Sequence, residues 1–246
     1  MTISIITATY NNKNTIEDAI LSVLNQSYTN IEYIIIDGKS TDGTLNITQK
    51  YKDKINKIIS EADKGMYDAL NKGIELANGD VIGFLHSDDF YADKKVIENI
   101  VKTFEAQNVD SVYGDLEYVS ATKPENIIRY WKAGAFNIEE LKKGWMPPHP
   151  TFYVRKEIYK KHGGFNLNYN IAADYDLMLR FLGKFKISTT YLPKVLVKMR
   201  WGGASNRNLS NIIQKSKEDY LILRRNNIGG LLSLLYKNFR KIKQFF

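Results

Sequence analysis

A chain of 246 residues, 43% hydrophobic and 25% charged, has the composition of a folded protein with one large core, a second domain being permitted but not required. It contains no cysteine, which excludes disulfides, thiolate catalysis and cysteine-ligated zinc and gives no sign of an oxidising compartment. The net charge of +8 is lopsided: the first 90 residues carry eight lysines against thirteen acidic residues, so the excess lies wholly beyond Phe90. A phosphate-bearing substrate, an anionic membrane or nucleic acid would suit that basic half.

The first residues, M-T-I-S-I-I-T-A-T-Y, lack a basic leader and are too short to span a bilayer, so they read as a strand over Ile3 to Thr7 with a turn at Thr9 to Asn12. Asn14 followed by Glu17 suggests a helix start, and Ile16, Ile20, Val23 and Leu24 form its apolar face. Ile31 to Ile36 is a second strand, apolar as expected when both faces are covered, and it ends at Asp37. Asp37 either accepts a hydrogen bond from a base or ribose or stabilises the turn. The glycines of Gly38 to Thr44 report turn geometry, because Walker spacing is absent.

Lys57 to Ser60 reads as a strand, and Asp63-Lys64-Gly65 leads into a helix whose Met66, Leu70, Ile74 and Ala77 recur each turn as core positions. A buried strand, Val81 to Leu85, then delivers Asp88 and Asp89 at its C-terminal end, where ligands of open α/β sheets bind. Two adjacent carboxylates repel unless compensated, so the pair suggests a site for Mg²⁺ or Mn²⁺, with a solvated loop and a helix cap as the alternative. This order of strands and helices predicts an α/β fold with a mostly parallel sheet covered on both faces.

A helix over Lys94 to Gln107 and a strand over Ser111 to Tyr118 follow. The prolines of W-M-P-P-H-P place His149 in a stiff loop, facing a phosphate, a sugar hydroxyl or a structural partner. Thr151 to Val154 returns to the sheet. Ala172 to Leu177 opens a helix in which Asp174 is either a cap or a carboxylate placed to accept a proton from an attacking hydroxyl. Leu196 to Arg200 is the last strand, with Trp201 beyond it. Arg200 suits a phosphate and Trp201 a sugar ring, or each is a surface anchor. Residues 208–246 hold eight Lys or Arg and two acidic residues, and their leucines and Phe239, Ile242 and Phe246 alternate with Lys237, Arg240, Lys241 and Lys243. That pattern predicts a helix lying on an anionic membrane, or one packed on protein. No nucleic-acid fingerprint accompanies it, so nucleic acid is not the expected partner. A dehydrogenase is disfavoured because no G-x-G-x-x-G follows the first strand.

Taken together, T-A-T-Y-N at Thr7 to Asn11, I-I-D-G-K-S-T-D-G-T ending at Thr44, A-D-K-G-M-Y-D-A-L-N-K-G at Ala62 to Gly73, H-S-D-D at His86 to Asp89, H-P-T-F at His149 to Phe152, A-A-D-Y-D-L at Ala172 to Leu177 and M-R-W-G-G from Met199 resemble the inverting family 2 glycosyltransferases of single-domain GT-A type. The resemblance covers roughly residues 1–205, leaving 206–246 as a basic amphipathic helical extension. It implies that Thr9, Tyr10 and Asp37 bind the nucleotide and that Asp63 and Lys64 lie near its base or phosphates. Asp89 would be the metal ligand, for Mn²⁺ or Mg²⁺, and Asp88 a ribose, phosphate or metal-shell contact. Asp174 maps to the catalytic base, with Asp176 as the internal alternative; many relatives carry Glu where this chain has Ala173. His149, Asp176, Arg200 and Trp201 fall on the acceptor or diphosphate side. Processive relatives commonly carry Gln-x-x-Arg-Trp and spanning helices, whereas Val197 stands in place of that Gln, so a single addition is expected. The implied setting is capsule, O-antigen or exopolysaccharide assembly from a nucleotide sugar, UDP-linked for preference, on a lipid-linked acceptor at the cytoplasmic membrane face. The competing reading is a regulatory or assembly protein that binds a nucleotide sugar without transferring it.

Overall fold

The computed structural model describes residues 1–202 and 209–242. Strand β1 (Ile3–Thr9) is buried at every position and pairs in parallel with β2 (Ile31–Asp37) on one side and β4 (Val81–Phe84) on the other; β3 (Lys57–Ser60) adds in parallel beyond β2. Helices α1 (Ile16–Leu24), α2 (Thr44–Gln49) and α3 (Met66–Leu76) make the connections. Alternate residues of β1 serve different cores: Ile3 and Ile5 pack with Ile16, Ile20 and Val23 of α1, whereas Ile6 and Ala8 pack with Leu70 of α3. The strand is therefore covered on both faces, and its Ser4 and Thr7 are buried with the aliphatic residues. Met66 departs from its expected place in the core: it is 45% exposed, because the helix begins there and its buried stripe starts at Tyr67.

Beyond β4 come β5 (Phe90–Tyr91), α4 (Val96–Gln107), β6 (Ser111–Val119), β7 (Ile127–Trp131), α5 (Ile138–Lys142), β8 (Tyr153–Arg155), α6 (Lys156–His162), α7 (Ala173–Met178) and β9 (Thr189–Arg200). The sheet runs β3-β2-β1-β4-β8-β6-β9-β5, with β7 paired to β6. It is mixed: the long β6/β9 ladder is parallel, but β8 lies antiparallel to both β4 and β6, and β5 and β7 are antiparallel to their neighbours. Helices flank the sheet. Close packing at the β4/β8 junction requires Gly83, where an added Cβ would stand 2.1 Å from the Tyr153 ring.

Two further helices, α8 (Leu209–Arg225) and α9 (Leu231–Ile242), complete the described chain. Ile222 and Leu223 of α8 enter the same buried cluster as α3 and α7. Lys237 does not join an outward basic face. Its ammonium is buried, 2.7 Å from Asp219 and 3.1 Å from the centre of the Tyr175 ring. The expected boundary at residues 205 and 206, together with the Lys243 and Phe246 positions, lies outside the described residues, as do the side chains of Phe239, Arg240, Lys241 and Ile242. Among the described residues no helix is long and apolar enough to cross a membrane.

Candidate active site

The C-terminal ends of β1, β2 and β3 are in register, Thr9 opposite Asp37 and Asp37 opposite Ser60, so their polar residues share one sheet edge. Asp37 is fully buried and accepts hydrogen bonds from the Ser60 hydroxyl at 2.6 Å and from the Ser40 amide and hydroxyl. Its turn-stabilising role is thus built in. Tyr10 stands out at 61% exposed, and the Thr9 hydroxyl is buried without a partner. An added Cβ on Gly38 would lie 2.6 Å from Asp63 Oδ2 and 3.4 Å from the Tyr10 ring. Gly38 therefore keeps open the gap between the exposed aromatic and the carboxylate. Asp63 accepts from the Gly65 amide at 2.8 Å, while the Lys64 amide donates to Asp68 and leaves the exposed Lys64 side chain at the mouth.

One strand further along, the loop after β4 carries His86, Asp88 and Asp89. Asn12 donates to Ser87 at 2.6 Å, tying this loop to the one after β1. Asp89 is fully buried; its Oδ1 accepts from the Arg200 amide at 3.2 Å and its Oδ2 has no partner. Burial, with the neighbouring Asp88 charge, pushes the Asp89 carboxyl well above the usual carboxylate range. The Arg200 guanidinium turns away from the open cleft, donating to the Asp88 carbonyl at 2.8 Å and pairing with Asp18 of α1. Trp201 is 42% exposed and meets Tyr118 edge-on at 5.7 Å. Arg129 covers Tyr118 at 4.6 Å. Burial raises the Tyr118 phenol pKa, opposed by Arg129 and reinforced by the charges of Asp89 and Asp174.

Asp174 lies in the first turn of α7, where its Oδ1 accepts from the Tyr175 amide at 2.8 Å and sits 3.2 Å from the Tyr67 hydroxyl of α3. His149 begins a short 3₁₀ turn between β6 and the sheet seam. It is buried against Phe84 at 5.4 Å and His86 at 5.8 Å, with Nε2 unpartnered. Burial holds its pKa down to about 4, so the imidazole is neutral at pH 7. Asp176 is not in this group: it is ion-paired with Arg180 at 2.7 Å and accepts from Asn226 of the C-terminal helices. Arg200 is likewise engaged in holding the Asp88–Asp89 loop. Sequence reading missed Tyr67, Tyr118, Arg129 and Asp18. The Tyr67 helical stripe was legible, but the distant partners of the other three were not.

An α/β sheet whose strand ends gather an exposed aromatic and a buried, half-satisfied carboxylate, with a further carboxylate in the first turn of α7, suits a nucleotide-sugar-dependent glycosyltransferase. Residues 4–166 match the family described as "Glycosyl transferase family 2", and the chain belongs to that family. It is 32% identical over 219 residues, 87% of this chain and 84% of the other, to the Escherichia coli UDP-Glc:alpha-D-GlcNAc-diphosphoundecaprenol beta-1,3-glucosyltransferase WfaP. Among solved structures it superposes on S. aureus TarS 1-349 in complex with UDP-GlcNAc with a TM-score of 0.72 at 18% identity, covering 93% of this chain and 66% of that one, and it covers 39% of the longer S. aureus TarS chain. It also superposes on the mannosyltransferase PcManGT from Pyrobaculum calidifontis, in complex with GDP-Man and Mn2+, with a TM-score of 0.67 at 16% identity, covering 96% and 69% of the two chains. These likenesses establish the GT-A-like fold.

Proposed function

We propose that this protein is a non-processive, inverting glycosyltransferase that moves one sugar from a UDP-linked hexose or N-acetylhexosamine to a hydroxyl of a lipid-linked saccharide in surface-polysaccharide synthesis. The observation that carries the reading is the buried, unpartnered Oδ2 of Asp89 at the sheet edge. A buried carboxylate oxygen without a donor is costly unless a cation faces it. The residues present fit a divalent ion: Asp89 would hold Mn²⁺ or Mg²⁺ with help from Asp88, and when bound the ion would supply positive charge to the departing diphosphate. Among the described residues no group of three metal-ligating side chains occurs. That suits an ion shared between one or two carboxylates and substrate phosphates.

The chain's own residues divide the remaining work. Tyr10, Asp37, Asp63 and Lys64 flank the nucleotide, Thr9 offers its free hydroxyl, and Asp174 takes the proton from the attacking acceptor hydroxyl. A single displacement at the anomeric carbon inverts its configuration. Trp201, seated on Tyr118, offers a face to the acceptor sugar, and neutral His149 a hydrogen bond to a sugar hydroxyl. Arg200 holds the Asp88–Asp89 loop in place. Val197 is buried in the core instead of presenting an amide, in keeping with single addition. Exposed Ile212, Ile213, Leu231, Leu232 and Leu235 on the basic C-terminal helices suit contact with an anionic membrane surface, with the protein peripheral on its cytoplasmic face. WfaP and PcManGT are named as transferases, which favours an enzyme over a silent nucleotide-sugar binder.

The test is a binding panel of UDP- and GDP-sugars with and without Mn²⁺, followed by transfer of the bound donor to a GlcNAc-diphospholipid. Metal-dependent binding of one UDP-sugar and a product of inverted configuration are expected. A folded sample that binds none of them overturns the reading.

A further inference from the structure

Residues 170–172 approach α7 as irregular backbone, and their amides have no partner in a strand or helix. One side chain satisfies all three: Glu218 of α8 accepts from the Asn170 amide at 3.1 Å through Oε1 and from the Ile171 and Ala172 amides, each at 2.9 Å, through Oε2. Gln214, one turn earlier, donates to Glu218 Oε1 at 3.0 Å and fixes its orientation. The carboxylate is buried at 7% exposure. From the opposite side, the Tyr67 hydroxyl donates to the Ile171 carbonyl at 2.9 Å and stands beside Asp174. The segment leading to Asp174 is therefore gripped between α3 and α8.

The neighbouring residue on α8 repeats the arrangement. Asp219 is buried and pairs with Lys237 of α9, whose ammonium lies on the ring of Tyr175, the residue after Asp174. Glu218 thus reaches the backbone just before Asp174, and Asp219 reaches through Lys237 to the side chain just after it. Neither acidic residue stands where an exposed helix would place its charges. Each is turned into the core, where only a partner of fixed geometry repays the desolvation.

We infer that Glu218 is a positioning residue for Asp174, so that the C-terminal helix pair sets the placement of the base; this rests on the assignment of Asp174 as base. A carboxylate taking three backbone N–H groups fixes the direction from which α7 starts, and the first-turn side chain follows that direction. Base catalysis depends on such placement to within a fraction of an ångström.

The experiment compares Glu218→Ala, Glu218→Gln and, as a destabilised control, Leu223→Ala in the full chain. It reads turnover from UDP-glucose and UDP-GlcNAc to a GlcNAc-diphospholipid, affinity for UDP with Mn²⁺, amide hydrogen exchange at 170–172, and the carbon-13 resonance of the Asp174 carboxyl, assigned with Asp174→Asn. Expected for Glu218→Ala are a kcat lower by roughly ten- to a hundredfold, unchanged UDP affinity, faster exchange at 170–172 and a displaced Asp174 resonance. Glu218→Gln should recover part of each, and Leu223→Ala should lose stability while keeping kcat. Wild-type kcat and an unmoved Asp174 resonance in folded Glu218→Ala overturn the inference, as does a parallel loss of kcat in Leu223→Ala. If the wild-type protein transfers neither sugar, the transferase reading with these donors fails, while amide exchange and the Asp174 resonance still decide whether Glu218 positions that side chain.

Discussion

The Arg200 amide donates to Asp89 Oδ1 across 3.2 Å while the Arg200 guanidinium donates to the Asp88 carbonyl, so the end of β9 grips both members of the acidic pair. Of the two Asp89 carboxylate oxygens, Oδ2 is left buried without a partner.

That geometry predicts opposite responses of binding and stability at one position. Asp89→Asn should abolish Mn²⁺-dependent UDP binding, yet leave the melting temperature of the metal-free protein unchanged or higher. Burial and Asp88 already disfavour the charged carboxylate. Calorimetry with and without Mn²⁺ measures both, and retained metal-dependent binding in Asp89→Asn would remove Asp89 from the role of ligand.

Asp174 should respond in the other manner. Asp174→Asn preserves the Tyr175 amide contact through its oxygen but removes the proton acceptor, so kcat should fall roughly a hundred- to ten-thousandfold with UDP affinity intact. Full transfer activity in this variant would move the base elsewhere.

The edge strand β7 and the grip on Asp174 mark where sequence reading ran out, whereas the return to the sheet expected over Thr151 to Val154 is β8, shifted by two residues at its start. Strands β1, β2 and β4 were legible because burial on both faces leaves them rich in aliphatic residues. β7 was not, since Ile127, Ile128 and Tyr130 are exposed on a sheet edge and carry no alternation. The long first half of β9 was hidden by Pro193 and by its mixed exposure. Asp89, Asp174 and Asp37 stood out as carboxylates at strand or helix ends. Asp176 looked equivalent to Asp174 two residues away; only the partner of each, Arg180 against the Tyr67 hydroxyl, separates a structural ion pair from the candidate base. Lys237 misled in the same way, as one cation among several until its partner Asp219 came into view.

Lys237 offers a stability test. Lys237→Ala strands the Asp219 carboxylate in the core and should cost about 3–5 kcal/mol in denaturant unfolding. Replacing both partners, with Lys237→Met and Asp219→Leu, should recover most of that loss. Equal destabilisation by the single and double variants would show that the pair contributes packing alone.

His149 sets a pH dependence. Its folded pKa of about 4 lies below the unfolded value near 6.5. Between those values the unfolded chain takes up a proton that the folded one does not, so the contribution is complete above about pH 6.5 and is lost as pH falls toward 4. Unfolding free energy followed from pH 7.5 to 4 should decline, and His149→Gln should flatten the decline by roughly 2–3 kcal/mol. An identical pH profile in the variant would show that another group titrates.

The seam at β8 has a consequence for how such an enzyme diversifies. Val154 and Arg155 pair with the parallel block that ends in Thr9 and Asp37 and leads to Asp89, and Tyr153 and Val154 with the block that carries Tyr118 and leads to Trp201. Few backbone hydrogen bonds cross it, and the close fit of Tyr153 over Gly83 does the joining. Arg200 at the end of β9 is a second tie, through its hold on Asp88 and Asp89, so the far block is bound to the near one at these two places. Were the donor held by the near block and the acceptor by the far one, as proposed above, a lineage with this plan could retain its activated sugar while changing the molecule that receives it, with Gly83 fixed by the Tyr153 ring it must accommodate.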